Sequence, residues 1–199
     1  MSYPVPTEQA FAEIEIKKSR FLGYAKGISN REEGMAWLEV IKQKYPDARH
    51  HCWAYLLGNP SCATNAGMGD DGEPSGTAGK PILNVLQHRG VGDIMIIVVR
   101  YFGGIKLGAG GLTRAYGQSA QAVMEILNTE LQVPVVSIKL VCDFSQEQQI
   151  RYFLNQSQGN IVQVDYQNRV IINALIPEAG LTPFQQNISS MGCEFRLLD

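Results

Sequence analysis

Residues 100–116, RYFGGIKLGAGGLTRAY, are the stretch around which the chain is organised. They follow the apolar run DIMIIVV at 93–99, whose β-branched residues and length favour a buried strand over a helix. Five glycines then fall within nine residues, at positions 103, 104, 108, 110 and 111, which indicates backbone conformations or close approaches that a side chain would obstruct. We therefore expect the strand to deliver Arg100 to a loop whose backbone is a working surface.

A helix is predicted to follow this glycine loop. After Gly111, apolar and small residues recur at three- and four-residue steps, the pattern of a helix with one buried face. Unpaired amides and the helix dipole favour negative charge at such a helix start, and Lys106 and Arg114 add full positive charges. The segment lacks the Gly-Lys-Ser/Thr ending of a Walker A loop, and Thr113 stands where a dinucleotide fingerprint needs its third glycine. The pattern therefore predicts an anion site without a complete nucleotide motif.

The composition is that of an ordinary globular protein. The 199 residues are 45% hydrophobic and 18% charged, enough for one large core or two small ones. No apolar run approaches the roughly 18 to 20 residues of a membrane span, and the N-terminus does not resemble a signal peptide. We therefore expect a cytoplasmic protein with no membrane partner. Four scattered cysteines without a C-x-x-C pair predict free thiols rather than a disulfide framework or a zinc ribbon.

Charge is distributed unevenly along the chain. The net charge of −2 argues against a surface coated in basic residues for indiscriminate nucleic-acid binding. Residues 80–124 nevertheless hold five basic residues and one acid, a local balance of +4. If the molecule has a basic face, this segment is expected to build it.

Two domains of α+β class are predicted, at residues 1–130 and 135–199, with a linker at 128–134. The second domain has the order β-α-β-β-α-β, which is the split βαβ or ferredoxin-like arrangement. Capping-box spacing at Ser145–Gln148 and Thr182–Gln185 marks the expected starts of its two helices.

Adjacent histidines, His50 and His51, lie in a predicted strand. Neighbouring side chains of a strand point to opposite faces, so the two rings cannot both ligate one metal from regular β geometry. We therefore predict no metal site at this position.

A glycine-rich loop at 58–79 carries the acids Asp70, Asp71 and Glu73. Their oxygens are ligands that magnesium or calcium prefers. The alternative, which we favour, is that Asp71 and Glu73 pair with Arg100 or Arg114 and hold the two glycine-rich loops together. No cofactor is predicted.

Several blocks of the sequence resemble the IMPACT family. The two signature blocks are DDGEPSGTAGKPIL at 70–83 and VVRYFGGIKLGAGGLTRAY at 98–116, while KSRF at 18–21 and HCWAY at 51–55 fit the N-terminal pattern. Two blocks of more than ten residues in the right order form a specific match. With the β-α-β-β-α-β unit attached, the whole chain resembles the bacterial two-domain members.

The resemblance implies an N-terminal domain of the ribosomal-protein-S5 domain-2-like fold, with helices on one side of its strands. It also implies a C-terminal domain similar to the last domain of elongation factor G. Eukaryotic members regulate translation by competing for the activator of an initiation-factor kinase, but they carry a different second domain and bacteria lack that pathway. The partner therefore does not carry over, and RNA, the ribosome or a protein partner in translation is expected by analogy.

Three functions remain open. In the first, a non-enzymatic translation-associated protein binds RNA, the ribosome or a ribosome-bound factor. Its expected phosphate ligands are the side chains of Lys80, Arg100, Lys106 and Arg114 and the amides around Gly108, Gly110 and Gly111, with Tyr101 or Phe102 for base stacking. Phosphate contacts do not read sequence, so no RNA specificity follows from them, and no DNA specificity is expected either.

The second function is an enzyme that acts on a phosphorylated small molecule or nucleotide at the glycine-rich loop. The acids of the first block would hold magnesium while the basic residues of the second neutralise developing charge. Ser75, Thr77 and Cys52 are nucleophile candidates by residue type alone, so no catalytic residue is assigned. The third function is a protein-interaction module whose glycine-rich blocks are structural.

Overall fold

The computed structural model describes residues 2–198 and divides them into two compact units. The first unit is Tyr3–Gln132, and the second is built by the chain from Val133 onward. Each unit has a hydrophobic core of its own. Among the helices of residues 2–198, none combines the length and the apolar character that crossing a membrane requires.

The first unit is built around a five-stranded sheet in the order β2-β3-β6-β4-β5, in which every neighbouring pair is antiparallel. Its central strand begins at Ile94, one residue after the start of the run predicted as a strand at 93–99, and extends two residues beyond that run, through Arg100 and Tyr101. The elements in chain order are β1 (Tyr3–Pro6), β2 (Ala10–Ile16), β3 (Ser19–Gly27), α1 (Arg31–Lys44), β4 (His50–Leu57), β5 (Asn65–Gly69), α2 (Gly79–Arg89), β6 (Ile94–Tyr101), α3 (Gly108–Glu125) and β7 (Thr129–Gln132).

Helices cover both faces of this sheet. Alternate residues of β6 enter two different cores: Ile94, Ile96 and Val98 pack with α2 and α3, and Met95, Ile97 and Val99 pack with α1. The expectation of helices on one side is therefore wrong, because α1 packs on the opposite face. A strand that is apolar at every position must be covered on both faces, which is the physical reason for the second layer.

A short pair of strands joins the two ends of the first unit. Strand β7 pairs antiparallel with β1, with Tyr3 opposite Gln132 and Pro6 opposite Thr129. Most of the segment predicted as a linker at 128–134 is therefore part of this unit. All four residues of β7 are exposed, so no hydrophobic alternation marks this strand in the sequence.

The second unit has the element order β-α-β-β-α-β. Its strands form one antiparallel sheet in the order β11-β8-β10-β9, and the buried residues of β8 and β10 share a core with both helices. The elements are β8 (Val135–Cys142), α4 (Glu147–Gln156), β9 (Asn160–Tyr166), β10 (Val170–Pro177), α5 (Glu178–Ile188) and β11 (Glu194–Leu198).

Both helix starts in the second unit differ from the predicted capping boxes. The capping box before α4 joins Asp143 and Gln146 around a short 3-10 helix, two residues earlier than expected. Helix α5 begins at Glu178 and includes Pro183 in its second turn. The Thr-Pro pattern suggested a helix start because a proline inside a helix gives up a main-chain hydrogen bond.

Candidate functional site

The first unit contains a cavity of about 760 Å³ at the end of β6 where the glycine loop begins. The cavity is formed by four segments: the end of β6 and the loop after it, the first turns of α3, the residues leading into β4, and the acidic loop at Glu73. Strand pairing explains why they meet, because His50 at the start of β4 lies opposite Arg100 near the end of β6. The lining residues are Asp47, Arg49, His50, Glu73, Pro74, Arg100, Tyr101, Phe102, Lys106, Leu107, Gly108, Ala109 and Leu112.

Arg100 is the buried cation of this cavity. The residue is only 7% exposed, and its Nη1 donates a hydrogen bond of 2.6 Å to Oε1 of Glu73. The guanidinium carbon lies 5.6 Å from the ring centroid of Phe21 and 5.7 Å from that of Phe102, within cation–π range of both rings. The Nε atom is buried and has no hydrogen-bond partner. Arg100 belongs to strand β6, so the prediction that it lies in the loop is wrong.

Behind this ion pair, Glu73, Tyr116 and Cys52 form a buried polar chain. The Tyr116 hydroxyl donates to Oε1 of Glu73 at 2.8 Å, and the Cys52 sulfur lies 3.3 Å from the Tyr116 oxygen. Burial is the main cause that raises the pKa of both the Cys52 thiol and the Tyr116 hydroxyl. Both groups therefore stay protonated at neutral pH, and Cys52 is unsuited to the nucleophilic role considered for it by residue type.

The start of α3 forms another wall of the cavity. The helix begins at Gly108, and it has neither a side-chain cap nor an acidic residue in its first turn. The first amides of a helix have no intrahelical acceptor, so these donors remain available. Gly108 has φ +69° with no atom near the position of a Cβ, which leaves the space before the helix open.

Gly103 has a different purpose from the glycines of the helix start. A Cβ on Gly103 would lie 1.9 Å from the backbone carbonyl carbon of Lys18, so no side chain fits there. Its N–H also donates to Oγ of Ser19 at 3.2 Å. Gly103 thus packs the glycine loop onto the turn between β2 and β3.

The carboxylates of the cavity have hydrogen-bond partners within the protein, whereas two of its cationic side chains are exposed. Its carboxylates already accept hydrogen bonds, Glu73 from two donors and Asp47 from the Tyr101 hydroxyl at 2.9 Å. Lys106 and Arg49 are exposed at the rim. Apart from His50, the lining holds three cationic and two anionic side chains. The arrangement therefore favours an anion over a cation.

The predicted binding residues fall into two groups. Arg100, Tyr101, Phe102, Lys106 and Gly108 line the cavity. The others lie outside its lining: Gly110 and Gly111 follow Gly108 in the first turn of α3, Arg114 is exposed further along that helix, and Lys80 is exposed at the start of α2.

The acids of the first glycine-rich block have three different partners. Glu73 binds Arg100, whereas Asp71 binds neither arginine that was considered: its Oδ2 accepts the amide N–H of His51 at 2.6 Å. Asp70 accepts the amide N–H groups of Gly76, Ala78 and Gly79 at 2.7 to 3.1 Å, in the turn that leads into α2. Burial raises the pKa of Asp70, but these amide hydrogen bonds outweigh it and lower the pKa below its usual value.

Sequence reasoning missed the contribution of the residues before β4. Asp47, Arg49 and His50 reach the cavity only because β4 pairs with β6, and His50 was weighed solely as a metal ligand. The alternation predicted for the histidines does place them differently: His50 lines the cavity, while His51 is buried with Nε2 3.1 Å from the Tyr45 carbonyl oxygen. A predicted β4–β6 register would have placed His50 opposite Arg100 and brought the residues just before His50 to the same end of β6.

Comparison with known proteins agrees with the resemblance noted in the sequence. The Impact N-terminal domain family matches residues 17–124, which include every residue that lines the cavity, and the Domain of unknown function (DUF1949) family matches residues 140–192. The chain is 39% identical over 188 residues to the IMPACT family member YigZ of Escherichia coli (strain K12), covering 94% of this chain and 92% of that protein.

The chain is also similar to a more distant eukaryotic relative and to a solved structure. The chain is 28% identical over 114 residues to the Protein IMPACT homolog of Saccharomyces cerevisiae, covering 56% of this chain and 43% of that protein. A solved structure described as that of a hypothetical protein superposes with a TM-score of 0.74 at 36% identity, covering 100% of this chain and 98% of the other. The expected resemblance to bacterial two-domain proteins is thus confirmed.

Proposed function

This chain belongs to the IMPACT family, and from that premise we propose that it is a non-enzymatic regulatory protein of translation. We further propose that it binds RNA, free or in the ribosome, through the cavity and the exposed basic residues beside it. Homology to a eukaryotic IMPACT protein supports the translational role, and the cytoplasm is the compartment this role requires. A ribosome-bound protein factor is the alternative partner within the same role.

One observation carries the RNA-binding proposal: the cationic side chains of Arg100 and Lys106 and an uncapped helix start line the same cavity. Both are donors suited to a phosphate oxygen. Phe102 is 57% exposed at the same place, so an unpaired base has a ring to stack on. Lys106 and Arg114 extend the positive charge along the approach to the helix, where backbone phosphates of a longer RNA would lie.

The fold supports this proposal by analogy. We infer that the first unit is a ribosomal-protein-S5 domain-2-like fold with an added helical layer, since its sheet also carries α1 on the opposite face. The strand order β11-β8-β10-β9 supports a ferredoxin-like second unit, similar to the last domain of elongation factor G. Both folds recur in ribosomal proteins and translation factors, which makes RNA the first ligand to test.

A second candidate, an enzyme acting on a phosphorylated small molecule, is favoured by the size of the cavity. Its volume of about 760 Å³ is that of a typical small-molecule pocket. The acids weighed as magnesium ligands are engaged elsewhere, Asp71 by the His51 amide and Glu73 by Arg100 and Tyr116. We therefore rank binding above catalysis.

Fluorescence anisotropy of a labelled single-stranded RNA over a salt series tests the proposed function. The Lys106→Ala/Arg114→Ala variant should bind more weakly, with a salt slope smaller by about 1.4, because each phosphate contact on a single strand contributes about 0.7. Arg31→Ala/Lys42→Ala removes the same charge from α1, outside the cavity, and should bind as the native protein does. Equal weakening of both variants, or binding that does not respond to salt, would contradict the proposal.

A further inference from the structure

The turn between β2 and β3 combines an unfavourable backbone conformation with two lysines. Ile16 pairs with Ser19, so Lys17 and Lys18 form a two-residue hairpin loop, with φ values of +48° and +63°. A loop of this length with positive φ at both positions is the type I′ turn, which strongly prefers Asn-Gly because most side chains disfavour the left-handed region. Among residues 2–198, no other two successive non-glycine residues have positive φ. The two lysines therefore occupy a turn in which asparagine and glycine would give a more stable protein.

Neither lysine has a partner within the described part of the chain that would offset this cost. Both are exposed, and no hydrogen bond, ion pair or ring contact joins either side chain to another residue in 2–198. Glu13 on the neighbouring strand β2 is already paired with Arg20 at 2.6 Å. Backbone strain persists where the surrounding structure holds it, and it is concentrated at ligand-binding positions. Both ammonium groups are therefore available to a molecule outside the protein.

The glycine loop holds this turn in place. The site of a Cβ on Gly103 lies 1.9 Å from the backbone carbonyl carbon of Lys18, and the Gly103 N–H donates to Oγ of Ser19 at 3.2 Å. Strand β3 starts directly after the turn and pairs with β6 where β6 ends, so the turn and the glycine loop leave the sheet side by side. The turn thus adjoins the loop that carries Phe102 and Lys106, two residues of the cavity lining.

Together the turn and the loop form a basic strip, which consists of Lys17, Lys18, Phe102 and Lys106. The three lysines are exposed, and Phe102 is 57% exposed. Ammonium groups on flexible stems bind phosphates as point charges, so a row of them complements a backbone that repeats one negative charge per nucleotide. The exposed ring favours RNA over an acidic protein, because an unpaired base can stack on it.

We propose that Lys17 and Lys18 contact the RNA backbone where it leaves the cavity and crosses the glycine loop. The inference rests on the proposed function and extends it, since it gives the bound strand a path from the cavity across the basic strip to the hairpin turn. The lysines bind phosphates without reading bases, so they add affinity and not sequence preference. The unfavourable turn is kept because binding uses the two charges that Asn-Gly would lack.

The decisive variant is Lys17→Asn/Lys18→Gly, for which we expect opposite effects on stability and on binding. Its melting temperature should rise, because the turn receives the residues that its backbone prefers. Its RNA affinity should fall in fluorescence anisotropy with labelled single-stranded RNA. Losing two phosphate contacts lowers the salt slope by about 1.4, which makes binding roughly 25-fold weaker at about 0.1 M salt than in the native protein. Damage to the fold cannot produce this combination.

Three further variants separate charge from backbone conformation. Lys17→Gln/Lys18→Gln removes the charges but keeps two non-glycine residues in the turn, so affinity should fall equally without a rise in melting temperature. Lys17→Arg/Lys18→Arg keeps the charges and should keep the affinity. Arg31→Ala/Lys42→Ala removes two charges from α1 and should bind as the native protein does.

The outcomes distinguish this inference from the proposed function. If the native protein binds RNA and both variants that remove the turn charges bind it equally well, the inference is overturned, while Lys106→Ala/Arg114→Ala still tests the proposed function. If the native protein binds no RNA at low salt, the proposed function fails and the inference fails with it. Binding to polyglutamate but not to RNA would assign the turn to an acidic protein partner and overturn the inference. A lower melting temperature of Lys17→Asn/Lys18→Gly contradicts the argument from backbone strain.

Discussion

Two arginines show how differently the two units use charge. In the first unit, Arg100 is buried, and the side chains of Arg100 and its partner Glu73 are only 7% and 4% exposed. In the second unit, Arg169 is 36% exposed and lies between Asp143 at 3.2 Å and Glu194 at 2.7 Å. Water weakens the second cluster, whereas the low dielectric around the first makes each missing partner costly.

The difference follows from how the two sheets are covered. Strand β6 has helices over both faces, so polar side chains at its end are enclosed and must find partners inside the protein. The sheet of the second unit packs its helices against one core, and its ion pairs lie in water. The buried charges of the first unit therefore depend on one another for their stability, while the charged side chains of the second unit lie on an ordinary surface.

Removing Glu73 should produce the largest effect. Glu73→Ala leaves Arg100 as an uncompensated buried charge and Tyr116 without its acceptor, so we expect the free energy of unfolding to fall by about 3–5 kcal/mol. Urea unfolding followed by tryptophan fluorescence measures it, because both tryptophans, Trp37 and Trp53, belong to the first unit. A loss below about 1 kcal/mol would remove the contrast between the two arginines.

Asp70→Ala should have an intermediate effect that depends on pH. The carboxylate accepts three amide N–H groups in the turn that leads into α2, and its loss is expected to cost about 1–3 kcal/mol at neutral pH. Because the folded-state pKa of Asp70 lies below the ordinary value of 3.8, its contribution is complete above that pH and is lost as the pH falls through the folded pKa. The native and variant stability curves should therefore converge in acid. Parallel curves would show that Asp70 acts by packing alone.

Arg169→Ala should have the smallest effect. Exposed ion pairs contribute about 0–1 kcal/mol and are screened by salt, even where one arginine contacts two carboxylates. Amide hydrogen exchange of β8 and β10 reports on the second unit, which contains no tryptophan. Protection should change by less than tenfold and should change less still at high salt. If Arg169→Ala lowered stability as much as Glu73→Ala does, solvent exposure would not explain the difference between the two ion-pair clusters.

Elements with a clear hydrophobic period could be predicted from the sequence, and contacts between distant segments could not. The run at 93–99 and the hairpin of β9 and β10 are present because their side-chain patterns are local. The purpose of Gly103 depends on the turn at Lys18, 85 positions earlier by residue number, so the sequence showed only that a glycine was needed. Strand β7 escaped notice because a fully exposed strand has no apolar alternation to detect.

Some features of the candidate site could likewise be predicted from local sequence, while others depend on distant contacts. Glycine density pointed to the helix start, and charge pointed to Lys106, both of which line the cavity. Asp71 and Glu73 were both expected to pair with Arg100 or Arg114, but Asp71 and Gly72 both have positive φ, and the turn directs the two carboxylates to different partners. Burial of Arg100 could not be foreseen, since it depends on Phe21 and Phe102 enclosing its guanidinium.

The pairing of β1 with β7 has a consequence for how such proteins evolve. Since Tyr3 lies opposite Gln132, the unit starts and finishes at one place on its surface, and a neighbouring domain can be exchanged there without disturbing the sheet. The two ends of the first unit thus lie side by side, at the place where another domain can be attached. Gene rearrangements can then join the same unit to unrelated neighbouring domains.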